Sequence, residues 1–162
     1  MTTQRPEIVR VATPKDEDAI LGLMRLAYAE QPISPLNEDK IRNQIRHCTQ
    51  QKGGVLGVID GPEGLEGYLI ATLFQHWYSD AWHLEELSNF VHPEHRKPGH
   101  AKALIEFAKW FAEQLDMPLI MGIMSTKRLE AKTRLYKRQI HQVGAVFAHN
   151  TGHIDGMLSE MG

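Results

Sequence analysis

The sequence contains one cysteine, few aromatic residues and no long apolar run. Cys48 is the only cysteine among 162 residues, which excludes an intramolecular disulfide and a multi-cysteine zinc site. A single buried thiol in a reducing compartment is the simplest expectation. The densest apolar stretch, residues 118–124, is far too short to span a bilayer, and the first ten residues hold no apolar run of signal-peptide length. These absences predict a cytoplasmic protein.

The chain also lacks a strong net charge. Its 18 Lys and Arg against 20 Asp and Glu give −2, so no general attraction to nucleic acid or to an anionic membrane is expected. Residues 127–138 are nevertheless strongly basic, and they form either a local anion site or a solvated helix face. The apolar share of 42% and charged share of 23% are typical of one globular domain, predicted to span residues 1–162.

The hydrophobic pattern alternates between strand and helix periods. Thr13, followed by Pro14 and Asp16, is a typical helix start, and Asn37 can cap a second helix. The turn at 61–64 predicts a hairpin, and apolar residues on both faces of segment 82–91 predict a strand covered on both sides. Strands are predicted at 8–12, 55–60, 67–75, 82–91, 119–124 and 144–149, and helices at 13–30, 37–51, 101–115 and 127–140.

The junction between the fourth predicted strand and its helix, residues 91–101, carries the features of an anion cradle. Free backbone N–H groups and the positive end of the helix dipole meet there. Gly99 permits close approach to the backbone, Ala101 keeps the first turn small, and Arg96 and Lys97 add positive charge. Without further context, an ordinary glycine-containing loop explains the same residues.

This segment resembles the GNAT acyl-CoA N-acyltransferases. That family carries [Q/R]-x-x-G-x-[G/A] after a strand ending V-x-P, and Val91-His92-Pro93 with segment 96–101 match it position by position. The predicted order β-α-α-β-β-β-α-β-α-β is also the family's, so the resemblance extends to about His149. It implies an α/β fold with a mixed, V-splayed central sheet flanked by about four helices.

The resemblance implies acetyl-CoA as co-substrate. The pantetheine arm would lie between the strand ending at Val91 and the strand 119–124. The pyrophosphate would sit on the backbone N–H groups of Lys97, Gly99, Ala101 and Lys102 at the helix start. Lys127, Arg128 or Lys132 could meet the 3′-phosphate. The implied cofactor-binding residues are Phe90, Val91, Arg96, Lys97, Gly99, His100, Ala101 and Lys102.

The implied activity is transfer of an acetyl group to a primary amine by direct attack in a ternary complex. Glu85 and Glu86 lie on the strand where family members often place a base. Regular alternation favours Glu85, which would share a face with Asn89 and Val91, but a bulge would exchange the two. An edge-exposed carboxylate without a catalytic role is the alternative for either residue.

Tyr136 follows Leu135 and resembles the L-Y dipeptide whose tyrosine protonates the thiolate. The family usually places G-F four residues after that tyrosine, whereas Gly144-Ala145 comes eight residues later here. A core tyrosine that packs beneath the helix is the alternative role. The candidate catalytic residues are therefore Glu85, Glu86 and Tyr136.

The nine histidines raise the possibility of a metal site. His92 and His95 are three residues apart, but Pro93 is expected to break the helix that would bring them to one face. His149 and His153 flank a turn. We expect solvated or hydrogen-bonded histidines and no metal.

The acceptor is expected to be a small-molecule or peptide amine. Trp77, Tyr78 and Trp82 are candidates for the wall of its pocket, beside the loop at 32–35, or they simply pack at strand ends. No nucleic-acid or membrane partner is expected, and a homodimer is one assembly that this interpretation allows. Two rival functions stay open, an acyl-CoA-binding module without turnover and a polyanion- or RNA-binding protein that uses helix 127–138.

Overall fold

The computed structural model describes residues 2–30, 34–125 and 128–149 of the chain. Their element order confirms the predicted mixed α/β class. Single turns of 3₁₀ helix stand at Pro14–Asp16 and Pro93–His95. The strands are β1 (Val9–Val11), β2 (Gly54–Gly61), β3 (Gly64–Gln75), β4 (Trp82–Val91) and β5 (Leu119–Ile120), and the helices are α1 (Glu17–Glu30), α2 (Glu38–Thr49), α3 (Pro98–Gln114) and α4 (Leu129–Gln139).

One mixed sheet joins the five described strands in the order β1-β2-β3-β4-β5. The first four strands pair antiparallel, and β5 runs parallel to β4. The β4–β5 ladder has only two pairs, Leu84 with Leu119 and Glu85 with Ile120. Beyond Glu85 the two segments no longer pair, so the sheet opens beside the second half of β4.

Short-range signals set the starts of the first two helices. The Thr13 N–H donates to Asp16 Oδ2 at 2.8 Å, and the Asp16 N–H donates to the Thr13 carbonyl at 2.9 Å. Asn37 Oδ1 accepts from the Lys40 N–H at 3.0 Å. These bonds satisfy N–H groups that have no partner within the helix, which confirms both predicted helix starts.

Two apolar cores cover the two faces of the sheet. The core on one face joins Leu69, Leu84 and Val91 to α3, and the other joins Tyr68, Ile70 and Phe90 to α1 and α2. The prediction that segment 82–91 is covered on both sides is thereby confirmed.

Among the described residues, no helix combines the length and the apolar character needed to cross a membrane.

A β-bulge interrupts β4 at Leu87. Ile70 of β3 faces Ser88, but the next β3 residue, Ala71, faces Glu86, so Leu87 has no opposite residue. The extra residue shifts side-chain alternation by one position. Glu86 therefore lies on the same face as Leu84 and Asn89, which is the α3 face, and Glu85 lies on the face of α1 and α2.

The prediction of a strand at residues 144–149 is wrong. Residues 141–149 have no regular structure, and Val143 and Phe147 are each 91% exposed. The preceding strand, β5, is also shorter than predicted, since it ends at Ile120 and the prediction extends to residue 124. β-Branched and aromatic residues form a strand only beside a neighbouring strand, and β5 offers residues 144–149 only a two-residue edge.

Candidate active site

A cavity of about 680 Å³ opens where β4 and β5 separate. This volume lies within the range of roughly 300 to 1,000 Å³ that is typical of small-molecule sites. The walls come from β4, the start of α3, the segment after β5 and α4. They include Ser34, residues 86–91, residues 96–98, Ala101, residues 122–124, Arg128, Ala131, Lys132, Leu135 and Tyr136.

Glu86 supplies the one carboxylate among the described lining residues. Its Oε1 accepts from Asn89 Nδ2 at 3.0 Å, and its Oε2 accepts from the Gly122 N–H at 3.3 Å. Burial raises the pKa of Glu86 to about 7, against the opposing effect of these two hydrogen bonds. A carboxyl group with this pKa can both accept and release a proton near neutral pH.

Tyr136 shares the Asn89 amide with Glu86. Asn89 Nδ2 donates to Tyr136 Oη as well, so one amide group positions both side chains. Burial and the Glu86 charge raise the pKa of Tyr136, which keeps its hydroxyl protonated at neutral pH. Because Oη accepts from Asn89, its own proton remains available to a different acceptor in the cavity.

Glu85, which regular alternation favours as the base, lies outside this cavity. Its carboxylate is 3.5 Å from His83 Nε2, and its strand partner is Thr72 on the α1 and α2 face. The bulge at Leu87 is the cause, and it produces the exchanged arrangement that the sequence leaves open. Asn89, which connects the two candidate groups, has no sequence signal beyond its place on the strand.

Part of the cavity lining is positively charged, and we call this part the cationic mouth. Four cationic side chains line it, those of Arg96, Lys97, Arg128 and Lys132. Arg96 is held in place because its Nη2 donates to Glu30 Oε1 at 2.7 Å and its Nε donates to the Val91 carbonyl at 3.3 Å. This arrangement suits a ligand that carries several negative charges, such as phosphates.

Lys132 projects from α4 towards the same mouth. Its Nζ donates to Ser125 Oγ at 2.9 Å, and burial lowers the pKa of Lys132. Two members of the basic segment, Arg128 and Lys132, thus face the cavity, while Arg134, Lys137 and Arg138 are exposed. Lys127, the third candidate for a 3′-phosphate contact, lies outside the described residues.

The residues predicted to hold the cofactor divide into two groups. Five of them line the cavity, and three described ones, Gly99, His100 and Lys102, do not. The His100 ring points to Glu66, with Nε2 and Oε2 2.8 Å apart, and Lys102 Nζ lies 3.6 Å from Glu106. The five that line it are Phe90, Val91, Arg96, Lys97 and Ala101.

The backbone at the start of α3 is only partly available to a ligand. The Lys97 N–H, predicted to bind pyrophosphate, donates to the His95 carbonyl at 2.8 Å, and Pro98 has no N–H. A Cβ added at Gly99 would meet no atom within 4 Å. Protein packing therefore does not require glycine at this position, and the open space is available to a ligand.

The histidines next to the motif are closer together than the sequence predicts. Pro93 begins a turn of 3₁₀ helix instead of separating its neighbours, and residues three apart are eclipsed in such a turn. One ligand atom from each of His92, Glu94 and His95 lies within 4.8 Å of the others. The absence of a metal remains a prediction, and His153 lies outside the described residues.

The three aromatic residues predicted to line an acceptor pocket lie outside the large cavity. Trp77 and Tyr78 are 95% and 68% exposed in the connection between β3 and β4, and Trp82 is 50% exposed at the start of β4. These three described residues do not line the cavity. The Tyr78 ring instead stacks on His76, at a centroid distance of 5.2 Å.

Comparison with solved structures identifies the fold. A GNAT family acetyltransferase from Staphylococcus aureus has a TM-score of 0.59 at 15% identity, over 88% of this chain and 97% of that one. A predicted acetyltransferase with acetyl-CoA from Clostridium acetobutylicum has a TM-score of 0.70 at 11% identity, over 87% and 93%. An aminoglycoside antibiotic 6′-N-acetyltransferase from Acinetobacter baumannii has a TM-score of 0.64 at 15% identity, over 88% and 95%.

At these identities the likeness concerns the fold. The chain has the GNAT fold, with its mixed five-stranded sheet and four described helices. No protein-family model and no curated protein sequence matches the chain.

Proposed function

We propose that this GNAT-fold protein transfers an acetyl group from acetyl-CoA to a primary amine, by direct attack in a ternary complex. One observation carries the proposal, namely that a single cavity joins a cationic mouth to a carboxyl and phenol pair. The cationic mouth suits the phosphates of coenzyme A, and the carboxyl and phenol groups suit proton transfer. The solved structures with this fold that are acetyltransferases support the same conclusion.

The residues at the mouth fit the charged half of the co-substrate. Arg96, Lys97, Arg128 and Lys132 supply cations, and the start of α3 adds the positive end of a helix dipole. Gly99 does not itself line the cavity, but it lies in sequence between the lining residues Pro98 and Ala101, and the open space beside it would admit a phosphate close to the backbone. The wall formed by residues 88–91 would then lie along the uncharged pantetheine arm.

Glu86 would act as the general base. A primary amine is mostly an ammonium ion at neutral pH, and an ammonium cannot attack a thioester until it loses a proton. With a pKa of about 7, the Glu86 carboxylate is basic enough to take part while remaining largely ionised above pH 7. The Asn89 and Gly122 N–H groups keep the carboxylate oriented.

Tyr136 would act as the general acid. The amine nitrogen forms a bond to the thioester carbonyl carbon, the carbon–sulfur bond breaks, and the thiolate takes the Tyr136 proton. The attacking nitrogen loses its second proton as the carbon–sulfur bond breaks, and this proton returns to the Tyr136 phenolate, which restores the acid. The first proton leaves through Glu86 to solvent, so the reaction yields an amide, the free thiol and one proton.

Three measurements test this proposal. Acetyl-CoA at about a hundred times its Kd should raise Tm by roughly 5 to 10 °C, and an amine panel should release free thiol from acetyl-CoA. Lys132→Met should weaken acetyl-CoA binding, whereas Lys137→Met, on the exposed side of the same helix, should not. A Tm unchanged by acetyl-CoA and by coenzyme A would refute the proposal, and binding without thiol release would identify a binding module.

A further inference from the structure

A second cavity, of about 260 Å³, lies on the other side of β4. It is an open pocket bounded by α1, α2, β3 and β4, and its apolar wall includes Met24, Ala27, Ile41 and Ile70. Whole ligand sites usually have at least about 300 Å³, so this volume suits one part of a ligand rather than all of it. The cavity therefore has the size of a subsite.

The two cavities share a wall. Leu87 and Ser88 line both of them, and Leu87 is the unpaired residue of the bulge. Glu86, which precedes this wall directly, faces the first cavity. Leu87 is 45% exposed, so a molecule with its body in the second cavity that reaches past Leu87 would place its amine in the part of the first cavity that Glu86 lines.

The described lining of the second cavity holds no charged group that could balance a charged ligand. Among the described residues that line it, none carries a formal charge. Two of its polar groups are already paired, because Tyr68 Oη and Ser88 Oγ are hydrogen-bonded at 2.8 Å. A cation that enters this pocket loses part of its water without gaining a counter-charge, which is unfavourable, whereas an apolar group gains free energy there.

We propose that the second cavity binds the body of the acceptor, and that the substrate class is a primary amine on an uncharged, largely apolar body, such as an arylalkyl amine. This inference rests on the proposed function. It excludes polyamines and aminoglycosides as preferred acceptors, because each would place a second cation in the cavity.

A thiol-release assay with saturating acetyl-CoA tests the substrate class directly. The probes are 2-phenylethylamine as the apolar amine, and spermidine and kanamycin as polycationic amines. The kcat/KM for 2-phenylethylamine should exceed that for either polycation by at least about tenfold, the lower limit expected from discrimination in an apolar pocket. In the presence of coenzyme A, 2-phenylethylamine should also raise Tm more than spermidine does.

A matched pair of variants tests the location. Ala27→Leu fills the second cavity and should raise KM for 2-phenylethylamine about tenfold with the KM for acetyl-CoA unchanged. Ala29→Leu adds the same group to an exposed position on the same helix and should change neither value. Equal effects of the two substitutions on the KM for the amine would overturn the assignment of the cavity.

A second pair tests the charge argument and does not depend on packing. Gln44→Glu places a carboxylate in the cavity and should shift the preference towards spermidine by about tenfold, whereas Asn43→Asp, exposed on the same helix, should not. Turnover of polycations with no turnover of 2-phenylethylamine would overturn this inference and leave the proposed function intact. Thiol release with no amine at all would overturn both.

Discussion

Two glutamates of the sheet, Glu86 on β4 and Glu66 on β3, have pKa values shifted in opposite directions. Glu86 is half-buried in the wall of the large cavity, with two neutral N–H groups as donors, and its pKa is raised to about 7. Glu66 is only 4% exposed, and its carboxylate lies close to the rings of His95 and His100. Its hydrogen bond with His100 is the main cause that lowers the pKa of Glu66.

The difference teaches that being covered does not by itself make a carboxyl group a base. At Glu86 burial dominates, because the two neutral hydrogen-bond donors return only part of the lost hydration. At Glu66 the hydrogen bond with His100 and the nearby cationic groups outweigh the effect of burial. Glu86 therefore has the character of a proton acceptor, and Glu66 that of a structural anion.

Replacing Glu86 should give the largest effect. Glu86→Gln is expected to lower kcat/KM by about 10² to 10³-fold, because the variant cannot accept the amine's proton. The wild-type rate should fall as pH drops below about 7, where Glu86 becomes protonated, and the variant should lack this titration. Glu85→Gln is the control, since Glu85 lies outside the cavity. Superimposable pH–rate profiles for wild type and Glu86→Gln would contradict the difference between the two glutamates.

Removing the phenol should have the next largest effect. Tyr136→Phe keeps the ring and removes the hydroxyl that shares Asn89 with Glu86, so turnover should fall by about 10²-fold while the Kd for acetyl-CoA changes little. Steady-state kinetics and calorimetric titration measure the two quantities. Tyr78→Phe, at an exposed position remote from the cavity, should leave both unchanged. Wild-type turnover in Tyr136→Phe would leave that tyrosine a packing residue.

The first turn of α3 contacts the surroundings of both glutamates, because His100 bonds to Glu66 and Ala101 lines the cavity beside Glu86. A substitution at Gly99 tests whether this turn also binds the phosphates. Gly99→Ala should raise the Kd for acetyl-CoA about tenfold without lowering Tm, because the added Cβ meets no protein atom but occupies the proposed phosphate space. Gly22→Ala, also free of contacts and located in α1, should leave the Kd unchanged. An unchanged Kd in both variants would place the phosphate elsewhere.

The smallest effect on activity is expected at Glu66. Glu66→Gln should keep turnover but lower Tm at pH 7, since a carboxyl whose pKa is lowered by folding stabilises the protein above its unfolded pKa of about 4.3. This stabilisation is lost as pH falls through the folded pKa. The Tm difference between wild type and variant should therefore shrink below about pH 4, as thermal melts over a pH series will show. A large loss of turnover at unchanged Tm would mean that Glu66 serves the active site.

Local signals in the sequence were sufficient for the helix starts. Thr13 with Asp16, and Asn37 with the Lys40 N–H, act within four residues, and their hydrogen bonds are present as predicted. The strand predicted at 144–149 depends instead on a neighbouring edge that β5 does not provide. Strand propensity describes a fit to neighbours, and a sequence pattern does not show whether the neighbours exist.

The candidate site was predictable in outline and not in detail. The motif at 91–101 located the cationic mouth, because its residues are contiguous. The partner of His100 is Glu66, 34 residues away, and the choice between Glu85 and Glu86 depends on how β4 pairs with β3. Such long-range relations are set by the assembled sheet, so they first become visible in the structure.

The bulge in β4 also changes the number of residues that this strand needs to bury both of its ends. Leu84 and Val91 are buried in the same core although an odd number of positions, seven, separates them. Strict alternation places residues on one face only at even separations, so this strand requires one residue more than a regular strand would. A chain with the same core and a regular strand would be one residue shorter here, and its alignment with this sequence should show a single-residue gap at Leu87.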